Sequence, residues 1–162
     1  MPIFYKGVIM LNIQIICVGK IKEKYWADAI IEYQKRIKKF CEINILEVKD
    51  ESNKNGIDCK KIEGERILEN LPQGYNIVLA INGKELDSIA FSEKISEIFT
   101  YNSSCINFII GGSLGLSDSV NKKADFLLSF SKMTFPHQMM RVVLLEQIYR
   151  AFKIINNESY HK

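Results

Sequence analysis

Residues 105–115 of the chain read CINFIIGGSLG and join an apolar run directly to a glycine-rich turn. The run from Cys105 to Ile110 has the length of one strand and contains a single polar residue, which is typical of a buried strand. Gly111 and Gly112 then end it, since paired glycines mark turns. In an α/β domain each strand leads through such a turn into a helix, so this stretch predicts that fold class.

The same pattern extends in both directions along the chain. Residues 13–18, IQIICV, form another β-branched apolar run, and apolar side chains follow at helical steps from Trp26 to Phe40. Strands are predicted at residues 13–18, 43–48, 76–81, 105–110 and 125–130, with Asn82-Gly83 ending the third. Helices are predicted at residues 22–40, 57–71, 87–99, 117–124 and 139–155, followed by a polar tail at residues 156–162.

This alternation predicts a single α/β domain with a mainly parallel sheet, and 162 residues suit one domain. Ligands of such sheets bind beyond the carboxyl ends of the strands. The segments expected there are residues 82–84, 111–115 and 131–137.

The charge of the chain is nearly balanced at +3, so the total alone does not predict nucleic-acid binding. Residues 20–39 depart from this balance, with seven basic side chains against three acidic ones. The basic residues are Lys20, Lys22, Lys24, Lys35, Arg36, Lys38 and Lys39. Composition leaves two interpretations open, a face that contacts phosphates and an ordinary solvated helix surface.

The cysteines and the hydropathy pattern indicate the compartment. The four cysteines are far apart in sequence and have no metal-type spacing with His137 or His161. We therefore expect reduced thiols and no metal site. No run reaches the roughly 18 apolar residues that a transmembrane helix needs, and no cleavage site follows the N-terminal segment. A cytoplasmic protein without membrane association is the prediction.

The glycine-rich turn also matches a hydrolase pattern. Residues 111–115 fit G-x-S-x-G, and Asp125 and His137 follow Ser113 in the order of a Ser-Asp-His triad. Three features disfavour a serine hydrolase. The residues that start the next helix, Ser117 and Asp118, come several positions after the serine, the chain is short for a hydrolase sheet, and the pattern is brief.

The segment before the last helix, SKMTFPHQ at residues 131–138, is richer in special residues than a plain connector. Pro136 suits a helix start. The helix after it is apolar on almost every side, so we expect the sheet and a second subunit to cover it. His137 is either a hydrogen-bonding residue at the helix start or a catalytic group. Glu146 and Arg150 are spaced for an ordinary helix ion pair, or else they serve a buried network or a dimer contact.

Three segments of the C-terminal half carry a family resemblance. They are LAINGK at residues 79–84, FIIGGSLGL at residues 108–116 and LSFSKMTFPHQMMRVVLLEQIYRAFK at residues 128–153, with Val18-Gly19-Lys20 and Tyr160-His161 in addition. In these the chain resembles the SPOUT-class methyltransferases of bacterial large-subunit ribosomal RNA that modify a pseudouridine. The resemblance covers residues 11–162. Residues 1–10 form an extension outside it, and Met1 and Met10 are both candidate starts.

The resemblance implies a C-terminal part threaded into a trefoil knot, with S-adenosylmethionine bound there. The implied cofactor contacts are Leu79, Gly111, Phe130, Ser131, Lys132, Met133, Thr134 and Phe135. The chemistry is consistent, because backbone groups of glycine-rich loops can pair with the adenine edge while apolar side chains pack on its faces.

The implied reaction is methyl transfer to N3 of a pseudouridine in helix 69 of 23S ribosomal RNA. The N3 proton must leave or be strongly polarised, so a base or charge-stabilising donors are needed. The candidates are His137, Arg141, Tyr160 and His161. The last two lie in the tail, which we expect to close an active site, in its own chain or in that of a partner.

The resemblance also implies a homodimer that acts on the assembled 70S ribosome, since the chain has no separate RNA-binding domain. Residues 20–39 would then contact phosphates of the 23S RNA. A nucleotide-binding or ribosome-associated module without catalysis is the remaining alternative, and cofactor binding without turnover would indicate it.

Overall fold

A computed structural model describes residues 10–52 and 55–162. The strands are β1 Asn12–Val18, β2 Glu42–Val48, β3 Tyr75–Glu85, β4 Cys105–Ile110 and β5 Phe126–Ser129. The helices are α1 Lys24–Ile37, α2 Gly56–Glu69, α3 Ser88–Glu97, α4 Asp118–Asn121 and α5 His137–Ile155, with a π-helical turn at Ile98–Asn102. The predicted extension at residues 1–10 lies outside the described residues except for Met10.

The described strands form one parallel sheet in the order β2-β1-β4-β3-β5. The predicted α/β domain with a parallel sheet is therefore confirmed. Strand β4, from which the fold class was deduced, lies at the centre with β1 and β3 on its sides. Parallel neighbours require a crossover along one face of the sheet, so helices cover both faces.

The residues of β4 alternate between two hydrophobic clusters. Phe108 belongs to the larger one, on the face covered by α1, α3 and α5. Ile109 points to the opposite face and packs with Ile67 of α2 and Val120 of α4. Both strand residues are fully buried. The continuous apolar run of β4 is thus explained by helices on either side.

Helix α5 packs against both α1 and α3 on the larger cluster. The ring of Phe152 stacks on that of Phe40 with centroids 5.3 Å apart, and the ring of Phe99 lies 6.3 Å away. The apolar surface of α5 was predicted to be covered by the sheet and by a second subunit. Helices α1 and α3 of the same chain cover much of it. Although α5 is 19 residues long, no helix among the described residues is long and apolar enough to cross a bilayer.

Some predicted boundaries were wrong by a few residues. Helix α5 begins at His137 rather than at residue 139, directly after Pro136, whose backbone is not helical. Helix α1 spans Lys24–Ile37 rather than residues 22–40, because residues 38–40 form a turn after it. Helix ends depend on which backbone groups find partners outside the helix, and the periodicity of side chains carries little information on that.

The prediction that Asn82-Gly83 ends the third strand was wrong for a clear physical reason. Strand β3 continues to Glu85, and both Leu79 and Lys84 pair with Leu128 of β5. The four residues between them bulge out of the ladder. A Cβ atom on Gly83 would lie 2.7 Å from the carbonyl carbon of Leu128. Glycine is needed here because the two backbones touch.

The thiols of Cys17 and Cys41 are packed into the core. Burial raises the pKa of Cys17 to about 11 and the pKa of Cys41 to about 12. Both side chains therefore remain protonated at neutral pH and act as small core residues.

A buried arginine ties the first turns of α5 to the loop after β1. The side chain of Arg141 is 1% exposed, and its Nη2 donates to the backbone oxygens of Val18 and Gly19 at 2.9 and 2.8 Å. Its Nη1 forms an ion pair with Glu47 Oε2 at 2.8 Å, and that oxygen also accepts from the backbone N–H of Ile21. One guanidinium thus holds two buried carbonyl groups and a carboxylate.

We expect the replacement Arg141→Met to lower the free energy of unfolding by about 2–4 kcal/mol, because it leaves buried acceptors without donors. Urea unfolding measures this directly. Arg36→Met is the matched control, since Arg36 is an exposed arginine that pairs with Glu32 on the same helix and such pairs contribute little. Equal losses for the two variants would contradict the anchoring role of Arg141.

Candidate active site

A cavity of about 350 Å³ opens at the carboxyl ends of β3, β4 and β5. Three segments line it: residues 79–82 in the bulge of β3, the turn after β4, and the segment after β5. His137 and Met140 at the start of α5 complete the wall. This is the place where the rule for parallel sheets predicts a ligand site, and the volume suits a small organic ligand.

The glycine-rich turn after β4, residues 111–116, is folded tightly on itself. The Gly115 N–H donates to the Gly112 oxygen at 3.0 Å, and Gly115 has a positive φ of 81°. A Cβ atom on Gly111 would lie 2.9 Å from the Leu116 side chain. Because side chains are absent, the backbone itself forms part of the cavity wall.

Most of the predicted cofactor residues line this cavity. Those that do are Leu79, Gly111, Phe130, Ser131, Met133, Thr134 and Phe135. Lys132 is exposed and is not part of the wall. The turn after β5 holds itself in place, since Ser129 Oγ donates to the Ser131 oxygen and the Met133 N–H donates to Ser131 Oγ.

The rim of the cavity is apolar and unusually exposed. Met133 is 74% exposed and Ile81 is 56% exposed, with Phe135 and Leu114 less so. Side chains of this size in solvent mark a surface that another molecule covers. Sequence reasoning expected Asn82 at this edge of the sheet but missed Ala80 and Ile81, because Asn82-Gly83 has the signature of a turn.

The hydrolase alternative does not fit the geometry. Ser113 and His137 line the cavity at the carboxyl end of the sheet. Asp125 lies at the opposite end, where its Oδ2 accepts from the Asn76 N–H and its own N–H donates to the Asn76 oxygen. The four residues of β5 separate the two ends by about 13 Å. No triad forms.

Among the predicted catalytic residues, His137 lines the cavity and is half-buried. Arg141, one turn further along α5, is turned inward toward Val18, Gly19 and Glu47. Its buried guanidinium cannot reach a substrate phosphate in this arrangement. In this arrangement Arg141 is an anchor that holds α5, and its role at the substrate stays a prediction.

The tail packs at the far end of α5. The Tyr160 hydroxyl donates to Glu146 Oε1 at 3.2 Å, and its ring meets the Tyr149 ring edge-on with centroids 4.9 Å apart. The Arg150 guanidinium lies 4.8 Å from the Tyr160 ring centre, and its Nη1 lies 3.3 Å from His161 Nδ1. Burial and the Glu146 carboxylate raise the pKa of Tyr160, so its hydroxyl keeps its proton at neutral pH.

Tyr160 and His161 are remote from the cavity of their own chain. Tyr149, which Tyr160 contacts, is twelve residues along α5 from His137. At 1.5 Å per residue this places it about 18 Å away. The structure thus brings together His137 and the predicted cofactor residues, and it gathers Tyr160 and His161 elsewhere with Glu146 and Arg150.

The C-terminal end of the basic segment at residues 20–39 lies beside the tail. Arg36 pairs with Glu32, and its guanidinium lies 5.5 Å from the ring centre of Tyr33 and 5.9 Å from that of Tyr149. The remaining basic side chains of the segment are exposed. Cations interleaved with aromatic rings are suited to RNA, which offers both phosphates and base faces. No group of three potential metal ligands occurs among the described residues.

Comparisons with known proteins show the family of this chain. The family model described as "Predicted SPOUT methyltransferase" matches residues 11–161. The chain is 52% identical over 159 residues to the ribosomal RNA large subunit methyltransferase H of Lactobacillus acidophilus, covering 94% of this chain and 100% of the relative. Its counterpart from Lactobacillus johnsonii is 51% identical with the same coverage.

A solved structure supports the fold independently. A "probable methylase family protein" from Haemophilus influenzae Rd KW20 superposes with a TM-score of 0.56 at 13% identity, covering 94% of this chain and 71% of that one. At so low an identity the likeness concerns the fold alone. The family match over nearly the whole chain goes further: this chain belongs to the SPOUT methyltransferase family, and it is an RNA methyltransferase whose cofactor is S-adenosylmethionine.

Proposed function

We propose that this chain transfers a methyl group from S-adenosylmethionine, bound in the cavity, to N3 of a pseudouridine in helix 69 of 23S ribosomal RNA. It does so as a homodimer in the cytoplasm, on the assembled 70S ribosome. The observation that carries the cofactor part is the convergence of three separate chain segments on one cavity. The target nucleotide rests on the resemblance of the chain to the family and on its large-subunit relatives.

The cavity suits the cofactor in size and in chemistry. Its wall combines apolar side chains, such as Leu79 and Met133, with the exposed backbone of the Gly111 turn. The first can pack on the faces of adenine, and the second can pair with its polar edge. A Cβ atom on Gly111 would displace Leu116 and narrow this space. The bound cofactor supplies the electrophilic methyl group.

The residues of the chain must then remove or strongly polarise the proton on N3. His137 lines the cavity, and we propose its imidazole as the group that accepts the proton. Tyr160 and His161 are the other candidates, as donors that stabilise negative charge on the flanking carbonyl oxygens or as the base. Arg141 is the least accessible of the four candidates, because its guanidinium is buried and its two Nη atoms donate to Val18, Gly19 and Glu47.

The separation of about 18 Å along α5 between the cavity and the tail is the argument for a dimer. If the tail acts in catalysis, it must serve the cavity of a second copy. The exposed apolar rim around Ile81 and Met133 offers a surface for that copy. The trefoil knot that the resemblance implies stays a prediction, and the three segments around the cavity are those that such a knot would gather.

The ribosome is the expected substrate because the end of the basic segment, at Arg36 and Lys39, lies next to the tail. Lys39, near the end of α1, lies over the Phe40 ring, and Lys153 pairs with Glu158 in the tail. Such a surface binds RNA mainly through phosphates and shape. Selectivity for one nucleotide then has to come from the folded ribosome around it.

Transfer of labelled methyl groups from S-adenosylmethionine to ribosomes tests this proposal. With 70S ribosomes that lack the modification, we expect label on one pseudouridine of the 23S RNA, because assembly presents the nucleotide and orients the enzyme. Ribosomes without that pseudouridine serve as the control. Label on another nucleotide, or equal labelling of free 23S RNA, would contradict the proposal.

Mixed dimers test the shared site. Gly111→Val obstructs the cavity and His161→Ala removes a tail side chain, so each homodimer should lose most activity. If the two variants are refolded together and pair at random, half of the dimers contain one copy of each. Each mixed dimer then has one working site out of two, made of an intact cavity and an intact tail, so the mixture should show about a quarter of the wild-type rate. Should the mixture remain as inactive as its components, while mass spectrometry of the intact dimers shows that mixed dimers are present, the tail does not act in the partner.

A further inference from the structure

We propose that Glu63 and Gly64 of α2 are positioning residues that hold the glycine-rich turn, residues 111–116, in its cofactor-binding shape. The inference rests on the proposed cofactor site. Neither residue lines the cavity. Both lie behind the turn, on the face of the sheet that α2 and α4 cover.

Glu63 is a charged residue in an unexpected place. It is 7% exposed, although carboxylates are rarely buried unless they have partners. Its Oε1 accepts from the backbone N–H of Glu51 at 3.0 Å. Its Oε2 points to the turn and lies 3.3 Å from where a Cβ atom on Gly112 would be. Glu63 therefore fills the space directly behind Gly112.

Gly64 meets the other end of the turn. A glycine inside a helix is unfavourable, so its presence calls for a local reason. A Cβ atom there would lie 2.2 Å from Ser117 Oγ and 3.3 Å from Val120 Cγ2. Ser117 is the residue at which the turn ends and α4 begins. The missing side chain of Gly64 lets α2 lie against that junction.

The two contacts confine the turn from outside while its inner surface faces the cavity. Its three glycines give the turn more conformational freedom than other residues would, and binding has to remove that freedom. The contacts with α2 remove part of this conformational freedom before the ligand binds. Arg66, one turn further along α2, pairs with Glu51 and donates to the Lys49 oxygen, which keeps the loop after β2 in the same assembly.

The dissociation constant of S-adenosylhomocysteine, measured by calorimetry on the full chain, tests this inference. Glu63→Ala and Gly64→Ala should each weaken binding about tenfold, comparable to the loss of one good hydrogen bond. Glu65→Gln is the matched control, because Glu65 is exposed on the same helix, and it should bind like the wild type. Ser117→Ala, combined with Gly64→Ala, should recover most of the affinity, since it removes the atom nearest to the added methyl group.

The outcomes separate this inference from the proposed function. Wild-type chain that does not bind S-adenosylhomocysteine would overturn the cofactor site and this inference with it. Normal affinity in both α2 variants would overturn the inference alone. A loss of affinity that only matches the fraction of unfolded protein, measured by circular dichroism in the same buffer, would also overturn the inference. The same holds if Ser117→Ala does not restore the affinity that Gly64→Ala loses.

Discussion

The contact between the backbones of β3 and β5 at Gly83 is the constraint on which the cavity depends. Because no side chain separates them there, β3 pairs with Leu128 twice, through Leu79 and through Lys84. The residues between are forced out of the ladder and become one wall of the cavity. The same pairing brings the end of β5, and the segment that follows it, alongside the glycine-rich turn. A side chain at Gly83 would force the end of β3 away from β5 and disturb the wall that the bulge forms.

Helix α5 carries the two halves of the proposed site at its two ends. Arg141 anchors its first turns to the loop after β1 and thereby sets the position of His137 in the cavity wall. Its last turns hold Tyr160 and His161 through Glu146 and Arg150. A rigid helix keeps these ends apart, so one chain cannot close its own cavity with its own tail. Two copies can, and the same helix would then set the geometry of both composite sites.

Sequence patterns predicted the features that depend on local regularity. The apolar run of β4 and the periodicity of α1 identified the fold class, and the carboxyl-end rule led to Gly111 and the segment after β5. The bulge of β3 was missed because Asn82-Gly83 is locally a turn signal. The strand continues past this signal only because residues 84 and 85 pair with β5. Arg141 and Glu63 were missed as anchors for a similar reason. A charged residue in a helix gives no sign of burial until distant segments supply its partners.

Hydrogen exchange with and without S-adenosylhomocysteine tests most directly the central claim, that three segments distant in sequence form one cofactor site. We expect protection on binding at residues 79–82, 111–116 and 129–135, because ordering of a ligand against their backbone slows local opening. Residues at the amino ends of the strands, such as Asn76 and Asp125, should exchange at unchanged rates. If saturating ligand protected the amino ends of the strands or α1 and left these three segments unchanged, the three segments would not form the cofactor site.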